Sequence, residues 1–245
     1  MTTNAQLPRA LKEALAKAAT VSGPQLIQLA QSPMIRKMVT REVETLFENW
    51  LKTSRSDPDK LPGVEDDRAA MGLAIMASID RALAGKQLSD AYIRAALQIL
   101  VKTLFFEKGD QTAAERFKAQ YGMNPPSFLL VSPGKACNLR CTGCYADSTE
   151  QARTLPWSVV DRIINEAKTL WGVRFIVISG GEPFAYRSEG KGILDLVEKH
   201  SDCFFMVYTN GTLINDTTSL RLSRAGNLLP AISVEGWRER TDERR

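Results

Sequence analysis

Short apolar runs alternate with amphipathic segments after residue 126. Of all features of the sequence, this alternation most restricts the fold. Four runs are candidate strands: Phe128–Val131, Val173–Ile178, Cys203–Tyr208 and Ala231–Val234. They are apolar on both faces, which is typical of parallel strands covered on both sides. Three segments between them have helical spacing: Pro156–Leu170, Gly192–His200 and Thr217–Arg224. The pattern predicts βα units arranged as a right-handed parallel barrel or an open sheet.

The residues before Asn124-Pro125-Pro126 have a different pattern, in which apolar positions recur at helical spacing. They mark four helices, represented by Leu11, Leu15 and Ala18, by Met34, Met38, Val43 and Leu46, by Met71, Leu73, Ile75 and Ile79, and by Ile93, Leu97, Ile99 and Leu104. The polar segment Ser54–Gly63 carries two prolines and predicts a loop. We therefore expect a helical region over residues 1–125 and an α/β domain over residues 126–245. The helical region is either a cap on the second domain or a docking module for a partner or substrate.

Charge and hydropathy exclude some classes of partner. The net charge is only +4, and no basic stripe or block stands out, so nucleic-acid binding has no support. The first residues lack the basic and apolar regions of a secretory signal. No apolar run approaches the roughly 18 residues of a transmembrane helix. We expect a cytoplasmic protein that binds neither nucleic acid nor a membrane.

Three of the four cysteines lie close together, in the spacing C-x3-C-x2-C. Cys137, Cys141 and Cys144 follow the first predicted strand, and loops after strand ends form the active face of parallel barrels. A structural zinc ion needs four ligands, and an electron-transfer iron–sulfur cluster usually takes four thiolates. Three thiolates on a four-iron cluster leave one iron open to chemistry. An iron–sulfur electron carrier and a zinc-stabilised binding module, with a fourth ligand from His200 or Cys203, remain as alternatives.

A second motif, Gly180-Gly181-Glu182-Pro183, closes the second predicted strand. Its two glycines permit a close backbone approach. The turn also leaves backbone carbonyls and the Glu182 carboxylate free to accept hydrogen bonds from an ammonium group.

The two motifs, in this order after successive strands, resemble those of the radical S-adenosylmethionine (radical SAM) superfamily. The resemblance implies that Cys137, Cys141 and Cys144 hold a [4Fe–4S] cluster, whose fourth iron binds the amino and carboxylate groups of SAM. It further implies that the Gly180–Pro183 turn contacts the methionine amino group. In this family the reduced cluster cleaves SAM to give a 5′-deoxyadenosyl radical, which abstracts hydrogen from the substrate.

Two further turns extend the resemblance. Tyr208-Thr209-Asn210-Gly211 is similar to the Thr-Asn-Gly turn of the family, and Ser233-Val234-Glu235-Gly236 is similar to the Ser-x-Asp-Gly stretch of cofactor- and peptide-maturing (SPASM-like) members. The resemblance implies that Thr209, Asn210, Ser233 and Glu235 lie near SAM. The family usually has an aromatic residue before the third cysteine, beside the adenine; here that residue is Gly143, and Tyr145 follows the cysteine instead.

The resemblance also sets expectations for the whole protein. It implies an α/β fold, a partial parallel (β/α) barrel of about six strands, of which about four are visible. The chain therefore looks truncated. It implies an enzyme of oxidoreductase or maturase type that acts on an unknown small molecule or peptide and takes electrons from a flavodoxin or ferredoxin. No residue is assigned a catalytic role.

Overall fold

The computed structural model of the protein describes residues 23–56, 61–101, 108–149 and 153–245. Its helices are α1 (Gly23–Gln31), α2 (Pro33–Arg55), α3 (Pro62–Ala84), α4 (Asp90–Val101), α5 (Lys108–Tyr121), α6 (Trp157–Trp171), α7 (Ile193–Lys199), α8 (Asp216–Ala225) and α9 (Arg238–Arg244). Its strands are β1 (Leu129–Val131), β2 (Phe175–Ile178), β3 (Arg187–Ser188), β4 (Lys191–Gly192), β5 (Phe204–Thr209) and β6 (Leu228–Ile232). A 3-10 turn covers Pro183–Ala185. No helix of these ranges is long and apolar enough to cross a membrane.

The chain forms two compact units, Met1–Leu97 and Gln98–Arg245. The structural division thus falls earlier than the predicted boundary at residues 125 and 126. Helix α5 explains this difference, because it contacts α6 of the second unit. The assignment of residues 1–125 and 126–245 as separate domains remains a prediction.

In the first unit, α2 and α3 pack against each other as an antiparallel pair. Gly72 of α3 lies against the ring of Phe47, where a Cβ atom would come within 2.3 Å of the ring. A salt bridge joins Arg36 to Asp80 near one end of the pair. These contacts confirm helices at two of the predicted positions.

Other parts of the helical prediction differ from the structure. Leu11, Leu15, Ala18 and Leu104 lie outside the described residues. Helices α1 and α5 were not predicted. Helix α5 has no clear apolar periodicity because it is mostly polar, with Ala113 and Phe117 among its few apolar residues. The predicted loop Ser54–Gly63 is too long at both ends, because α2 continues to Arg55 and α3 begins at Pro62, a residue favoured in the first helical turn.

The second unit is built on a parallel sheet with the strand order β1-β2-β5-β6. This confirms the α/β fold, and the sheet with its helices is consistent with a partial parallel barrel. Three strands differ from their predicted bounds by one or two residues. The fourth was predicted as Ala231–Val234 but spans Leu228–Ile232, with Pro230 inside it. Hydrogen bonds from Phe205 N to Asn227 O and from Ser233 N to Thr209 O place the odd-numbered residues of β6 toward β5. Pro230 therefore lies where no hydrogen donor toward β5 is needed.

The core lies between the sheet and helices α6 and α7. Ile164 of α6, Ile176 of β2, Leu196 of α7 and Phe205 of β5 are fully buried there. Burial of each such side chain contributes about 1.5–3 kcal/mol. This core gives the strand ends a rigid base. A short hairpin of β3 and β4 follows the 3-10 turn; it was not predicted, because its strands have only two residues each.

A network of charged side chains surrounds a buried histidine at the edge of the sheet where the parallel strands begin. His200 is 2% exposed, with Nε2 2.9 Å from Asp161 and Nδ1 3.3 Å from Lys168 Nζ. A lysine can only donate, so Nδ1 accepts and Nε2–H donates to the carboxylate. Lys168 also binds Asp202, which lies 3.5 Å from Arg174. Burial and the charge of Lys168 lower the pKa of His200, so the imidazole is neutral at pH 7.

This network predicts a loss of stability in mild acid. The pKa of His200 is lower in the folded chain than in the unfolded chain, so the unfolded chain binds the proton more readily below about pH 6.5. Stability should fall as the pH drops from 7.5 to 5.5, by at most about 1.4 kcal/mol per pH unit for one group. Burial acts to raise the pKa of Asp161, but hydrogen bonds from Lys199 and His200 outweigh it, so this carboxyl titrates only below that range.

The measurement is urea unfolding of the iron-free protein at both pH values, beside the His200→Gln variant. The variant keeps a polar side chain but cannot titrate, so its stability should depend less on pH. Equal pH dependence in the two proteins would contradict this account of His200.

Candidate functional site

The strands of the sheet are parallel, so their carboxyl ends meet at one edge, and every predicted motif follows one of these ends. The cysteine loop (residues 132–149) follows β1, and the Gly-Gly-Glu-Pro turn (180–183) follows β2. The Thr-Asn-Gly turn (209–211) closes β5, and the Ser-Val-Glu-Gly segment (233–236) follows β6. Since active sites of parallel α/β folds lie at this edge, we take it as the candidate site.

Backbone hydrogen bonds join the cysteine loop to the Gly-Gly-Glu-Pro turn. The two segments continue side by side beyond the pairing of β1 with β2. The amide of Gly181 donates to the carbonyl of Gly134 at 3.0 Å, and the amide of Glu182 donates to the carbonyl of Ala136 at 2.8 Å. Ala136 directly precedes Cys137. The turn after β2 therefore fixes the position of the first cysteine.

The two glycines of the turn are required by this contact. A Cβ atom at Gly181 would lie 2.1 Å from the carbonyl oxygen of Ala136, and one at Gly180 would lie 2.5 Å from that of Gly134. Gly180 also has φ of +114°, which side chains disfavour. From the resemblance, the backbone expected to need this close approach is that of the turn toward SAM. In the structure, the backbone that approaches closely is that of the cysteine loop.

Glu182 is buried and is not free, in contrast to the expectation from the sequence. It is 2% exposed. Its Oε1 accepts from Phe184 N at 2.9 Å and from Thr209 Oγ1 at 2.8 Å, and its Oε2 accepts from Asn210 N at 2.8 Å. Three donors occupy most of the roughly four lone-pair sites of a carboxylate. Glu182 thus links the turn after β2 to the turn after β5.

Thr209 belongs to the same link rather than to an open surface. It is 2% exposed, its hydroxyl donates to Glu182, and it accepts from Gly211 N at 3.0 Å. The hydroxyl of Thr209 is thus bonded on both sides within the protein, and its contact with SAM remains a prediction.

Asn210 joins the Thr-Asn-Gly turn to the cysteine loop. Its Nδ2 lies 3.0 Å from Asn138 Oδ1 and 3.9 Å from Cys137 Sγ. Its Oδ1 accepts from the amide of Thr212 at 2.9 Å and from the hydroxyl at 2.6 Å. Asn138 Nδ2 in turn donates to Thr212 Oγ1 at 2.8 Å. The three side chains form a closed ring of hydrogen bonds.

The three cysteines of the loop are half-buried, and each sulfur has a polar neighbour. Leu139 N lies 3.4 Å from Cys137 Sγ, Arg245 Nη1 lies 3.9 Å from Cys141 Sγ, and Ser148 Oγ lies 3.7 Å from Cys144 Sγ. Burial raises the pKa of the Cys137 thiol, and the charge of Glu182 adds to this effect. A hydrogen bond from the Ser148 amide lowers the pKa of Cys144, despite partial burial. Cys144 therefore forms a thiolate more readily than Cys137.

This donor set fits a cluster with three thiolate ligands. Soft thiolates select iron–sulfur clusters or zinc, and N–H groups directed at sulfur stabilise the bound thiolate. Within the described residues, no three His, Cys, Asp or Glu side chains are grouped so as to hold one metal ion. Three cysteines that each bind a different iron do not need to converge on one centre.

The two residues that could supply a fourth ligand to a zinc ion lie at the edge of the sheet where the strands begin, far from the three cysteines. His200 and Cys203 precede β5, whereas the cysteine loop follows the carboxyl end of β1. The six residues of β5 separate the two edges by roughly 17 Å at about 3.3 Å per residue. Both residues are also fully buried. Neither can complete a zinc site with the three cysteines in this fold.

Tyr145 reaches from the cysteine loop to the end of β2. Its hydroxyl lies 2.6 Å from Ser179 Oγ and accepts from Gly180 N at 3.3 Å, although 80% of the residue is exposed. Gly143 has φ of +71°, and a Cβ atom there would have no neighbour within 4 Å. The position of the usual aromatic residue is thus open, and the exposed ring of Tyr145 lies two residues away.

Glu235 is held by two arginines. It forms salt bridges with Arg244 and Arg245. Arg244 also contacts the cysteine loop, because its carbonyl accepts from Thr142 N at 2.9 Å and its Nε donates to Thr142 O at 3.2 Å. Ser233 is half-buried, and its carbonyl accepts from Arg245 at 3.0 Å. The segment after β6 is therefore tied to the cysteine loop by charged side chains.

The structure thus brings the predicted site residues to one edge of the sheet. Sequence reasoning missed the side chains that connect the motifs: Asn138, Ser148, Ser179, Thr212, Arg244 and Arg245. A partial signal existed for Asn138, a polar residue between two cysteines, and for Thr212, which follows the Thr-Asn-Gly turn directly. The arginines gave no signal, because they lie far from the cysteines in sequence.

Comparison with known protein families gives a match to this part of the chain. The family model described as the radical SAM superfamily matches residues 131–245. The match contains each of the four motifs that the structure places at the carboxyl edge of the sheet.

Curated relatives align with the same part of the chain. The cysteine-type anaerobic sulfatase-maturating enzyme of Clostridium perfringens (strain 13 / Type A) is 31% identical over 131 residues, covering 47% of this chain and 34% of that enzyme. The Fe-coproporphyrin III synthase of Methanosarcina barkeri is 25% identical over 134 residues, covering 51% of this chain and 31% of that enzyme. The aligned chain thus spans about a third of the length of these relatives.

Solved structures give a weaker likeness. Streptococcus suis SuiB bound to the precursor peptide SuiA is 23% identical with a TM-score of 0.43, over 53% of this chain and 29% of SuiB. SuiB bound to S-adenosylmethionine is 22% identical with a TM-score of 0.41, over 53% of this chain and 28% of SuiB.

Proposed function

We propose that this chain binds a [4Fe–4S] cluster and SAM, the cofactors of the radical SAM superfamily whose model matches residues 131–245, at the carboxyl edge of its sheet. Cys137, Cys141 and Cys144 hold three irons, and the fourth iron is left for the methionine group of SAM. The cluster, when bound, supplies the electron for reductive cleavage of SAM, which starts radical chemistry on the substrate.

The observation that carries the proposal is that hydrogen bonds join three motifs: the cysteine loop, the Gly-Gly-Glu-Pro turn and the Thr-Asn-Gly turn. Glu182 accepts from both Thr209 and Asn210, while its own amide donates to the cysteine loop at Ala136. Motifs that lie far apart in sequence are thereby fixed around one sulfur, that of Cys137. A plain turn after each strand would not need these connections.

We assign the SAM contacts according to which groups remain available. Within the described residues, the carbonyl oxygens of Gly180 and Gly181 receive no backbone hydrogen bond outside the strands, so they can accept from the methionine ammonium group. Glu182 and Pro183 hold the turn in place from their buried positions. Thr209 acts indirectly, through Glu182.

The remaining predicted contacts concern the rest of SAM. The half-buried hydroxyl of Ser233 is the candidate for the ribose or carboxylate of SAM, and Glu235 positions the segment that carries it. The exposed ring of Tyr145 is the candidate neighbour of the adenine.

The substrate and the electron donor are proposed from chemistry and likeness. The 31% identical relative is named as a sulfatase-maturating enzyme, so we propose a maturation reaction on a peptide or a small molecule. Lys135 and Arg140 are exposed on the cysteine loop and would suit an acidic donor such as a flavodoxin or ferredoxin.

Electron paramagnetic resonance of the reduced cluster tests the proposal. The protein is reconstituted anaerobically with iron and sulfide, reduced with dithionite and measured with and without SAM. We expect SAM to change the spectrum, because it binds the open iron. Adenosine, which lacks the amino and carboxylate groups of the methionine part of SAM, should have no such effect. Identical spectra with and without SAM would contradict SAM binding at this cluster.

A further inference from the structure

The side-chain amide of Asn210 is directed at the sulfur of Cys137. We propose that Asn210 is a positioning residue that donates an N–H···S hydrogen bond to the Cys137 thiolate and thereby raises the reduction potential of the cluster. This inference rests on the proposed function, because it requires a cluster on Cys137. It assigns Asn210 to the cluster rather than to SAM.

The orientation of the Asn210 amide follows from its neighbours. The amide of Thr212 can only donate, and it lies 2.9 Å from Asn210 Oδ1, so this atom is the oxygen. The other end of the amide must then be Nδ2, with two hydrogens. One hydrogen goes to Asn138 Oδ1 at 3.0 Å, and the other faces Cys137 Sγ at 3.9 Å. A flipped amide would lose the bond from the Thr212 amide and would place its oxygen against Asn138 Oδ1.

The donor is also held rigidly. The backbone amide of Asn210 is anchored to the buried carboxylate of Glu182 at 2.8 Å. Its side chain belongs to the closed ring with Asn138 and Thr212, in which every bond is 3.0 Å or shorter. Little rearrangement is therefore needed when charge on the sulfur changes, and a preorganised dipole acts more strongly than a mobile one.

The sign of the effect follows from electrostatics. Reduction adds one electron, so the reduced cluster and its thiolates carry more negative charge than the oxidised cluster. An N–H group directed at a ligand sulfur stabilises the reduced state more than the oxidised one, and hydrogen bonds to sulfur are a known determinant of cluster potential. Cys137 also lies near the Glu182 carboxylate, whose charge acts in the opposite direction. The Asn210 amide partly offsets that charge.

The test is a redox titration of the reconstituted protein, followed by electron paramagnetic resonance. In Asn210→Ala the equilibrium between reduced and oxidised cluster should shift toward the oxidised form by about tenfold, or about 59 mV for a one-electron couple. Asn210→Asp keeps the shape and the acceptor for Thr212 but replaces the donor with a negative charge, so its shift should be larger.

Two controls separate the donor from other effects of substitution. Asn138→Ala removes the tie to Asn210 but keeps the N–H group near the sulfur, and should shift the equilibrium less than threefold. Asn215→Ala removes an amide that accepts from Thr218 N at the start of α8, outside the ring. It should lower stability, because the helix loses its N-cap, and leave the potential unchanged.

Three results would overturn the inference: an unchanged potential in Asn210→Ala, an equal shift in Asn138→Ala, or complete loss of the cluster from both Asn210 variants. The last would mean that Asn210 holds the loop without tuning the cluster. Failure of the proposed function is distinguishable, because then the unmodified protein itself would hold no cluster that responds to SAM.

Discussion

Replacing Gly181 with alanine is expected to reduce the iron content of the reconstituted protein severalfold. The added methyl group would lie 2.1 Å from the carbonyl oxygen of Ala136, and 2.6 Å from that of Lys135. Both atoms are backbone, so no side-chain rotation relieves the contact. The cysteine loop must move away from β2, or the turn must rearrange. Overpacking of this kind typically costs 1–3 kcal/mol, and a collision with backbone belongs at or above the upper end.

The matched control is Gly63→Ala, at the start of α3. A Cβ atom there has no neighbour within 4 Å, and the residue is exposed and helical, so iron content and stability should be unchanged or slightly improved. Iron and sulfide analysis together with thermal unfolding measures both variants. A Gly181→Ala protein with full iron content and unchanged stability would contradict the packing described for the cysteine loop.

The same variant distinguishes two reasons for the glycine. If Gly181 served only to let SAM approach the backbone, Gly181→Ala would keep its iron and lose its response to SAM. If the glycine serves the cysteine loop, the iron itself is lost. The hydrogen bonds from Gly181 to Gly134 and from Glu182 to Ala136 favour the second result.

The sequence predicted the location of the site because its signals are local. A parallel α/β pattern places every strand end at one edge, so a cysteine motif after β1 and a Gly-Gly-Glu-Pro turn after β2 had to be neighbours. The four strands and the three helices between them were predicted for the same reason, since covered strands and amphipathic helices have distinct periods.

The connections between motifs could not be predicted, because they depend on three-dimensional placement. An acidic residue in a turn, such as Glu182, is exposed in most proteins. Only the fold shows that Thr209 and Asn210 face it and bury it. Likewise, the pairing of Glu235 with Arg244 and the contact of Arg244 with Thr142 depend on where α9 lies. The start of β6 could not be predicted either, because no sequence rule gives the side of the strand to which the nitrogen of Pro230 is directed.

The central claim is that three cysteines, and not the fourth, hold a four-iron cluster at the carboxyl edge of the sheet. The most direct test is the iron and sulfide content of single alanine variants after anaerobic reconstitution. The unmodified chain should be brown and contain about four irons and four sulfides. Replacing Cys137, Cys141 or Cys144 removes a ligand from the only clustered thiols of the sequence, so each variant should lose nearly all of its iron.

Cys203→Ala is the matched control. Cys203 is fully buried at the start of β5, at the opposite edge of the sheet, so its loss leaves a small cavity that costs about 1 kcal/mol and does not affect the cluster. Iron content in the four variants is the single decisive measurement. The account predicts near-complete loss in three variants and full retention in Cys203→Ala. Equal loss in all four, or full iron in any of the first three, would contradict it.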